Sequence, residues 1–264
     1  MQTGISTASL FGRFFTEDAV EELSGAGVKT AEVFLETYGE YTPEFGELIK
    51  KRKDGMDIHS VHVLTTQYEP QLYSMNERAK ADSFKLLEGT ARAAEILGAK
   101  YYTFHGGARF RKEPLILNMD KVGEETRKIV DVLGKHGVSL AYENVHWGYY
   151  NYIGFFSELK KRVPKLKGTF DIKQARQSGI PYGEYISEMG EAIVTAHISD
   201  INENGKMCLP GKGVTDFYEV FSRLKDVGFD GAILIESYNS DYNELKELYE
   251  SLDFVTETAE KVFK

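Results

Sequence analysis

One short motif, repeated along the chain, constrains the fold more than any other feature. Four times a helical stretch gives way to glycine and then to an apolar run: Gly25-Ala26-Gly27-Val28-Lys29, Leu97-Gly98-Ala99-Lys100, His136-Gly137-Val138 and Val227-Gly228-Phe229-Asp230-Gly231. Glycine readily takes the left-handed conformation that stops a helix, so each copy reads as a helix end that feeds a strand. Apolar runs at 4–9, 30–35, 56–64, 100–104, 138–144, 166–172, 192–200 and 231–237 alternate with longer helical patterns. The clearest helix is 76–97, where Ala79, Ser83, Leu86, Leu87, Ala94 and Leu97 follow a period near 3.6. Thr42-Pro43 reads as an N-cap with proline at the first helical position, and Thr16-Glu17-Asp18 as a cap with acids in the first turn. Strands alternating with helices predict parallel pairing and right-handed crossovers. Eight such units predict closure, so the expected fold is α/β, a (β/α)8 barrel forming a single domain over 1–264. At 264 residues and 42% hydrophobic content the chain can bury one such core, and no linker or low-complexity segment divides it.

Alternation within the strands then places the chemistry. In Ser139-Leu140-Ala141-Tyr142-Glu143 the small or polar set (Ser139, Ala141, Glu143) alternates with large Leu140 and Tyr142. The same split separates Thr169 and Asp171 from Phe170 and Ile172, and Thr195 and His197 from Val194, Ala196 and Ile198. Successive strand residues face opposite sides, so the small and polar sets should point into the barrel. Glu143, Asp171, His197 and Glu236 would then end four consecutive barrel strands at the carboxyl rim, where barrel enzymes carry their active sites. Three carboxylates gathered there raise one another's pKa, and a divalent cation removes that cost. Three oxygen donors and one imidazole suit Mn²⁺, Co²⁺, Mg²⁺ or Zn²⁺ alike.

Charge and cysteine usage narrow the setting. The formal net charge of −9 disfavours general binding to nucleic acid. The single cysteine, Cys208, excludes an intrachain disulfide and fits a reducing compartment. No signal peptide and no apolar stretch of the roughly 20 residues needed to span a bilayer is visible, so a cytoplasmic protein without a membrane partner is expected.

The motifs Ser60-Val61-His62, Phe104-His105-Gly106-Gly107, Tyr142-Glu143-Asn144, Phe170-Asp171-Ile172, Ala196-His197-Ile198-Ser199-Asp200, Leu209-Pro210-Gly211-Lys212-Gly213 and Ile235-Glu236-Ser237 resemble, in order and strand position, the xylose-isomerase-like TIM-barrel superfamily. That superfamily holds sugar and sugar phosphate isomerases and epimerases beside endonuclease IV relatives. In the first branch the resemblance implies one Mn²⁺-like ion on Glu143, Asp171, His197 and Glu236, with Glu143 and Glu236 exchanging a substrate proton. In the second it implies a three-zinc cluster, for which His62 and His105 stand where two histidines belong. Two positions depart from the pattern. Asp171-Ile172-Lys173-Gln174 ends in Gln174 where histidine is common, and Cys208 stands where a histidine often precedes the Leu-Pro-Gly segment. The ligands of a third zinc are therefore missing, which disfavours the nuclease reading.

The expected function is a metal-dependent isomerase or epimerase of a small sugar or sugar-like ketone. The two glutamates would move a proton next to a carbonyl through an enediolate. The alternative is a lyase on the same site, like an inosose or dehydroshikimate dehydratase. His62, His105, Trp147 and Gln174 are weaker candidates for substrate contact, and His62 with His105 also for a second metal. Arg109 and Arg111 read as a solvated basic loop, Lys173 as a surface or helix-start residue and Cys208 as a loop thiol. His59 shares a face with Val61 and Val63 and reads as structural, while His136 reads as complementing a helix dipole. Tyr149, Tyr150 and Tyr152 fit either a sugar site or a contact between subunits. The resemblance implies a homo-oligomer, with no interface legible in the chain.

Overall fold

The computed structural model describes residues 1–64, 67–109 and 116–264. The strands are β1 (Gln2–Ser6), β2 (Thr30–Leu35), β3 (Asp57–Val63), β4 (Tyr101–Phe104), β5 (Ser139–Glu143), β6 (Lys167–Asp171), β7 (Ile193–Ile198), β8 (Asp200–Ile201), β9 (Met207–Cys208) and β10 (Ala232–Ile235). The helices are α1 (Thr16–Gly25), α2 (Pro43–Arg52), α3 (Glu77–Leu97), α4 (Met119–Gly134), α5 (Phe155–Arg162), α6 (Ile172–Gln177), α7 (Tyr182–Met189), α8 (Phe217–Asp226) and α9 (Leu245–Phe263). Eight parallel strands close in the order β1-β10-β7-β6-β5-β4-β3-β2, and β8 pairs with β9 as a small antiparallel hairpin outside the barrel. The chain is a TIM barrel of one domain, as its alternation predicts.

The four glycine motifs are the stops that produce this order. Gly27, Gly98, Gly137 and Gly228 have φ of 83, 76, 71 and 81°. After each, an amide reaches back across the last helical turn: Val28 to Leu23, Ala99 to Ala94, Val138 to Leu133 and Phe229 to Leu224. This is the bond pattern of a left-handed helix cap. Thr42 caps α2 as expected, accepting from the Phe45 amide. Thr16 does not cap α1. It is the first helical residue, and its hydroxyl bonds the Phe34 carbonyl and Glu40 instead. β1 stops at Ser6, short of the predicted residue 9, because residues 7–10 tighten into a 3-10 turn.

Two strands each carry one extra residue. Ala31 pairs with Ile58 and Glu32 with Ser60, which leaves His59 over on β3. Gly168 pairs with Ile193 and Thr169 with Thr195, which leaves Val194 over on β7. β3 and β7 are not neighbours, yet His59 Nε2 lies 3.0 Å from both the Val194 carbonyl and Thr195 Oγ1. The two bulges therefore meet across the barrel floor. The role of His59 is structural, as expected, but its ring lies inside the barrel: a bulge changes the side to which a residue points. Gly4 and Gly231 serve the same tight lower end. A Cβ there would stand 1.9 Å from the Thr30 and Val194 carbonyl oxygens respectively.

Candidate metal centre

The upper end of the barrel gathers the acids. Glu143 and Asp171 are the last residues of β5 and β6, His197 is next to last in β7, and Glu236 follows β10. Asn144 ties two of these ends together: its amide donates to the Asp171 carbonyl and accepts from the Asp171 amide, both at 2.8 Å. Asp171 also caps α6, with Oδ1 accepting from the Gln174 amide at 2.7 Å, which leaves Oδ2 for the centre. From His197 Nδ1, Glu236 Oε2 is 2.8 Å away, Glu143 Oε1 3.2 Å and Asp171 Oδ2 4.0 Å. One ligand atom from each of the four lies within 4.8 Å of the others.

These separations suit a cation. Ligands about 2.1 Å from an octahedral ion stand roughly 3.0 Å apart when adjacent and roughly 4.2 Å when opposite. Glu143 Oε2 and Glu236 Oε2 are buried without a hydrogen bond, a costly state for carboxylate oxygens unless an ion or a ligand meets them. The buried Glu, Asp and His set thus has the composition and spacing of a divalent metal site. Its donors do not choose the metal.

Beneath it lies a residue that the sequence reading missed. Glu32, fully buried on β2, takes Ser6 Oγ at 3.0 Å and His62 Nδ1 at 3.2 Å on Oε1, and Ser60 Oγ and Thr103 Oγ1, both at 2.7 Å, on Oε2. His197 Nε2 is 3.0 Å from the same Oε1. Burial alone would raise the pKa of this carboxyl, but His197 and His62 hold it well below the usual range. A single acidic residue inside an otherwise apolar strand run was the signal available in the sequence. Glu69, also fully buried, is the hydrogen-bond partner of His105. It accepts the His105 amide at 3.0 Å, His105 Nδ1 at 2.9 Å and the Tyr102 hydroxyl at 2.7 Å. It sits in a 3-10 turn (Glu69–Tyr73), where no periodicity marks it.

His62 and His105, each held at Nδ1 by a carboxylate, bring their Nε2 atoms to 2.8 Å. His105 Nε2 is also 3.5 Å from Glu143 Oε2, and His62, His105 and Glu143 form a second ligand-type group beside the first. Trp147 stacks obliquely on His105 with ring centroids 5.3 Å apart. Gln174 turns its carbonyl to His146, accepting from its amide at 3.2 Å and from Nδ1 at 2.7 Å.

Lys173 stands at a helix start, as expected, but is buried rather than on the surface. It is 3% exposed, with Nζ 3.3 Å from Glu236 Oε1, 4.0 Å from Asp171 Oδ2 and 4.6 Å over the Tyr238 ring. The short helix α6 starts directly after Asp171, so its first turn folds this side chain over the centre. The Tyr cluster separates: Tyr150 is buried against Glu188, Tyr149 lies by Tyr73 and Gly107, and Tyr152 is exposed. Cys208 is half-buried in the β8–β9 hairpin, opposite Asp200. The Arg109 amide bonds the Trp147 carbonyl, while Arg111 lies outside the described residues.

The charges of the cluster are strongly interdependent. Burial opposes the charged forms throughout. For His197 the carboxylates Glu236 and Glu32 outweigh it and raise the pKa well above the usual value. Glu32 does the same for His62, lifting it to about 9. Burial lifts Asp171 to about 7, with Lys173 opposing and Glu143 and Glu236 adding to the rise. For Glu236, His197 and Lys173 overcome burial and lower it. Lys173 itself is raised, since Glu236 and Asp171 outweigh its burial. Metal-free, the centre therefore holds protons that a divalent ion would displace.

Residues 20–258 match the family model described as Xylose isomerase-like TIM barrel. An uncharacterized protein of Methanocaldococcus jannaschii is 26% identical over 280 aligned positions, which cover 99% of this chain and 93% of the relative. Among solved structures, a D-tagatose 3-epimerase-like protein superposes with a TM-score of 0.79 at 21% identity, covering 99% of this chain and 98% of the other. D-psicose 3-epimerase with D-tagatose from Clostridium cellulolyticum H10 gives 0.80 at 16%, covering 98% and 99%. The IOLI protein with a binding zinc atom gives 0.78 at 16%, covering all of both chains. These likenesses concern the fold. Among the described residues no helix is long and apolar enough to cross a membrane.

Proposed function

The chain belongs to the Xylose isomerase-like TIM barrel family, and from that membership and the geometry of its centre we propose a divalent-metal-dependent isomerase or epimerase acting on a small sugar or sugar-like ketone. One observation carries the reading: two glutamates converge on His197 Nδ1, Glu236 Oε2 at 2.8 Å and Glu143 Oε1 at 3.2 Å. Glu143, Asp171, His197 and Glu236 would hold the ion, Mn²⁺ being the first expectation. When bound, the ion supplies polarisation of a substrate carbonyl and stabilisation of the charge that develops on it. Either Glu143 or Glu236 takes the proton from the carbon beside the carbonyl, and the C–H electron pair moves toward the carbonyl oxygen to give an enediolate. The opposite glutamate, or the same one, returns a proton to carbon. Glu32 keeps His197 turned with Nδ1 toward the centre, and Trp147 packs on His105 beside it. Related folds include proteins described as epimerases of D-tagatose, D-psicose and L-ribulose, which supports a sugar-like substrate.

The test is solvent exchange. The Mn²⁺-loaded protein is incubated in D₂O with ketoses, ketose phosphates, inososes and small keto acids, and C–H signals are followed by NMR. We expect deuterium beside a carbonyl, lost in Glu143→Gln and in Glu236→Gln. Bound metal without exchange in any member would overturn the proton-transfer reading.

A second reading rests on His62, His105 and Glu143, whose ligand atoms also lie within reach of one ion. A second cation there would suit hydrolytic chemistry on a phosphate ester. Two Zn²⁺ per chain, with phosphodiesterase activity, would favour it. One ion per chain would remove it.

A further inference from the structure

Lysine is among the residue types least often buried, and burying an ammonium is costly even when it is paired. Lys173 is nonetheless 3% exposed. An ammonium has three donors. Among the described residues Nζ makes one hydrogen bond, to Glu236 Oε1 at 3.3 Å; Asp171 Oδ2 at 4.0 Å is beyond hydrogen-bond range. The Tyr238 ring closes its other side at 4.6 Å. A buried cation with donors to spare, at the edge of this centre, calls for an acceptor from outside the chain.

Charge balance indicates which kind. Glu143, Asp171 and Glu236 with a divalent ion leave one negative charge, and Lys173 cancels it. An acidic substrate depends on that cancellation, since it would otherwise enter against the negative field of the ligands.

We propose that Lys173 is a substrate-binding residue, and that the substrate is a small hydroxy or keto acid whose carboxylate meets Nζ beside Glu236. This rests on the proton-transfer reading above and sharpens its substrate class. A carboxylate needs only one or two partners, which the spare donors of a single lysine supply.

The experiment compares matched probes on the Mn²⁺-loaded protein: glycolate against ethylene glycol, and 2-keto-D-gluconate against D-fructose. Binding is read from the change in water-proton relaxation caused by Mn²⁺. Wild type should prefer the acid in each pair. Lys173→Met should weaken acid binding by about tenfold to hundredfold, the range of a lost charged hydrogen bond, with neutral binding little changed. Lys173→Arg should regain part of the preference. Lys173→Gln, polar and uncharged, serves if the methionine variant fails to fold, and should behave like it. Equal losses for acid and neutral probes would reduce Lys173 to a prop for Glu236 and overturn the proposal. An acid preference that survives in every variant would do the same. Failure of the wild type to bind Mn²⁺ would instead bring down the metal reading and this one with it, so the two failures are separate.

Discussion

Glu32 Oε1 lies 3.0 Å from Nε2 of His197, on the side of the ring away from Glu143, Asp171 and Glu236. The contact is one of charge rather than an aligned hydrogen bond: the carboxylate beside Nε2 favours hydrogen on that nitrogen and leaves the Nδ1 lone pair for a metal. Partners of this kind orient and strengthen ligating histidines. Glu32→Gln, similar in size, should weaken Mn²⁺ binding by about 10- to 100-fold in calorimetric titration. Nitrogen NMR of the metal-free variant should show His197 giving up its second proton at a lower pH than in the wild type, since Glu32 is one of the carboxylates that raise its pKa. Unchanged affinity and an unchanged His197 titration would reduce Glu32 to a buried bridge between strands.

Metal affinity should rise with pH. Burial places Asp171 at about 7 in the metal-free chain, partly offset by Lys173 and reinforced by Glu143 and Glu236. Its folded pKa is raised, so the metal-free fold favours the protonated carboxyl, and the stability that this group contributes is lost as pH climbs from its unfolded value toward about 7. A cation must displace that proton. Below pH 7, Asp171 alone should therefore cost about tenfold in affinity per pH unit. Titrations at three pH values from 5.5 to 7.5 test this, and a flat profile contradicts it. Thermal stabilisation by added Mn²⁺ should grow over the same range.

The floor of the barrel tolerates no extra carbon at two glycines. Gly4→Ala and Gly231→Ala would each press a methyl group to 1.9 Å from a carbonyl oxygen, that of Thr30 or of Val194. Neither oxygen belongs to a flexible side chain, so strands must shift. Each substitution should destabilise by about 1–3 kcal/mol or more in urea unfolding. A loss under about 0.5 kcal/mol, the usual range for unremarkable surface changes, would mean that the strands yield freely.

His136 should stabilise the fold in a pH-dependent way. α4 ends at Gly134, and the His136 ring bridges to α3, with Nδ1 2.7 Å from Glu95 and Nε2 3.0 Å from Glu88. Its partners are glutamates, not the helix dipole that the sequence suggested. Hydrogen bonds to Glu95 lead the causes that raise its pKa. Being raised, its contribution is complete below the unfolded pKa and fades as pH rises through the folded one. His136→Ala should cost up to about 1 kcal/mol at pH 6, given partly exposed glutamates, and less at pH 9. Equal losses at both values would mean that packing, not charge, holds the ring.

The sequence by itself determined the architecture and the four rim residues. Glycine stops and strand alternation are local: a backbone that needs positive φ, or a strand with one apolar face, writes its demand into adjacent positions. Glu143, Asp171 and His197 were legible because each closes an inward-facing set on its own strand, and Glu236 because it stands at the end of the last apolar run. Glu32, Glu69 and the burial of Lys173 were decided by the tertiary structure. Each depends on partners far along the chain: Glu32 with Thr103 and His197, Glu69 with Tyr102 and His105, Lys173 with Glu236. The face of His59 depends on a one-residue bulge, and strand period alone cannot place an inserted residue. Local pattern sets which groups stand at the rim. Barrel closure sets which groups meet there, and their charges and hydrogen bonds exist only once they do.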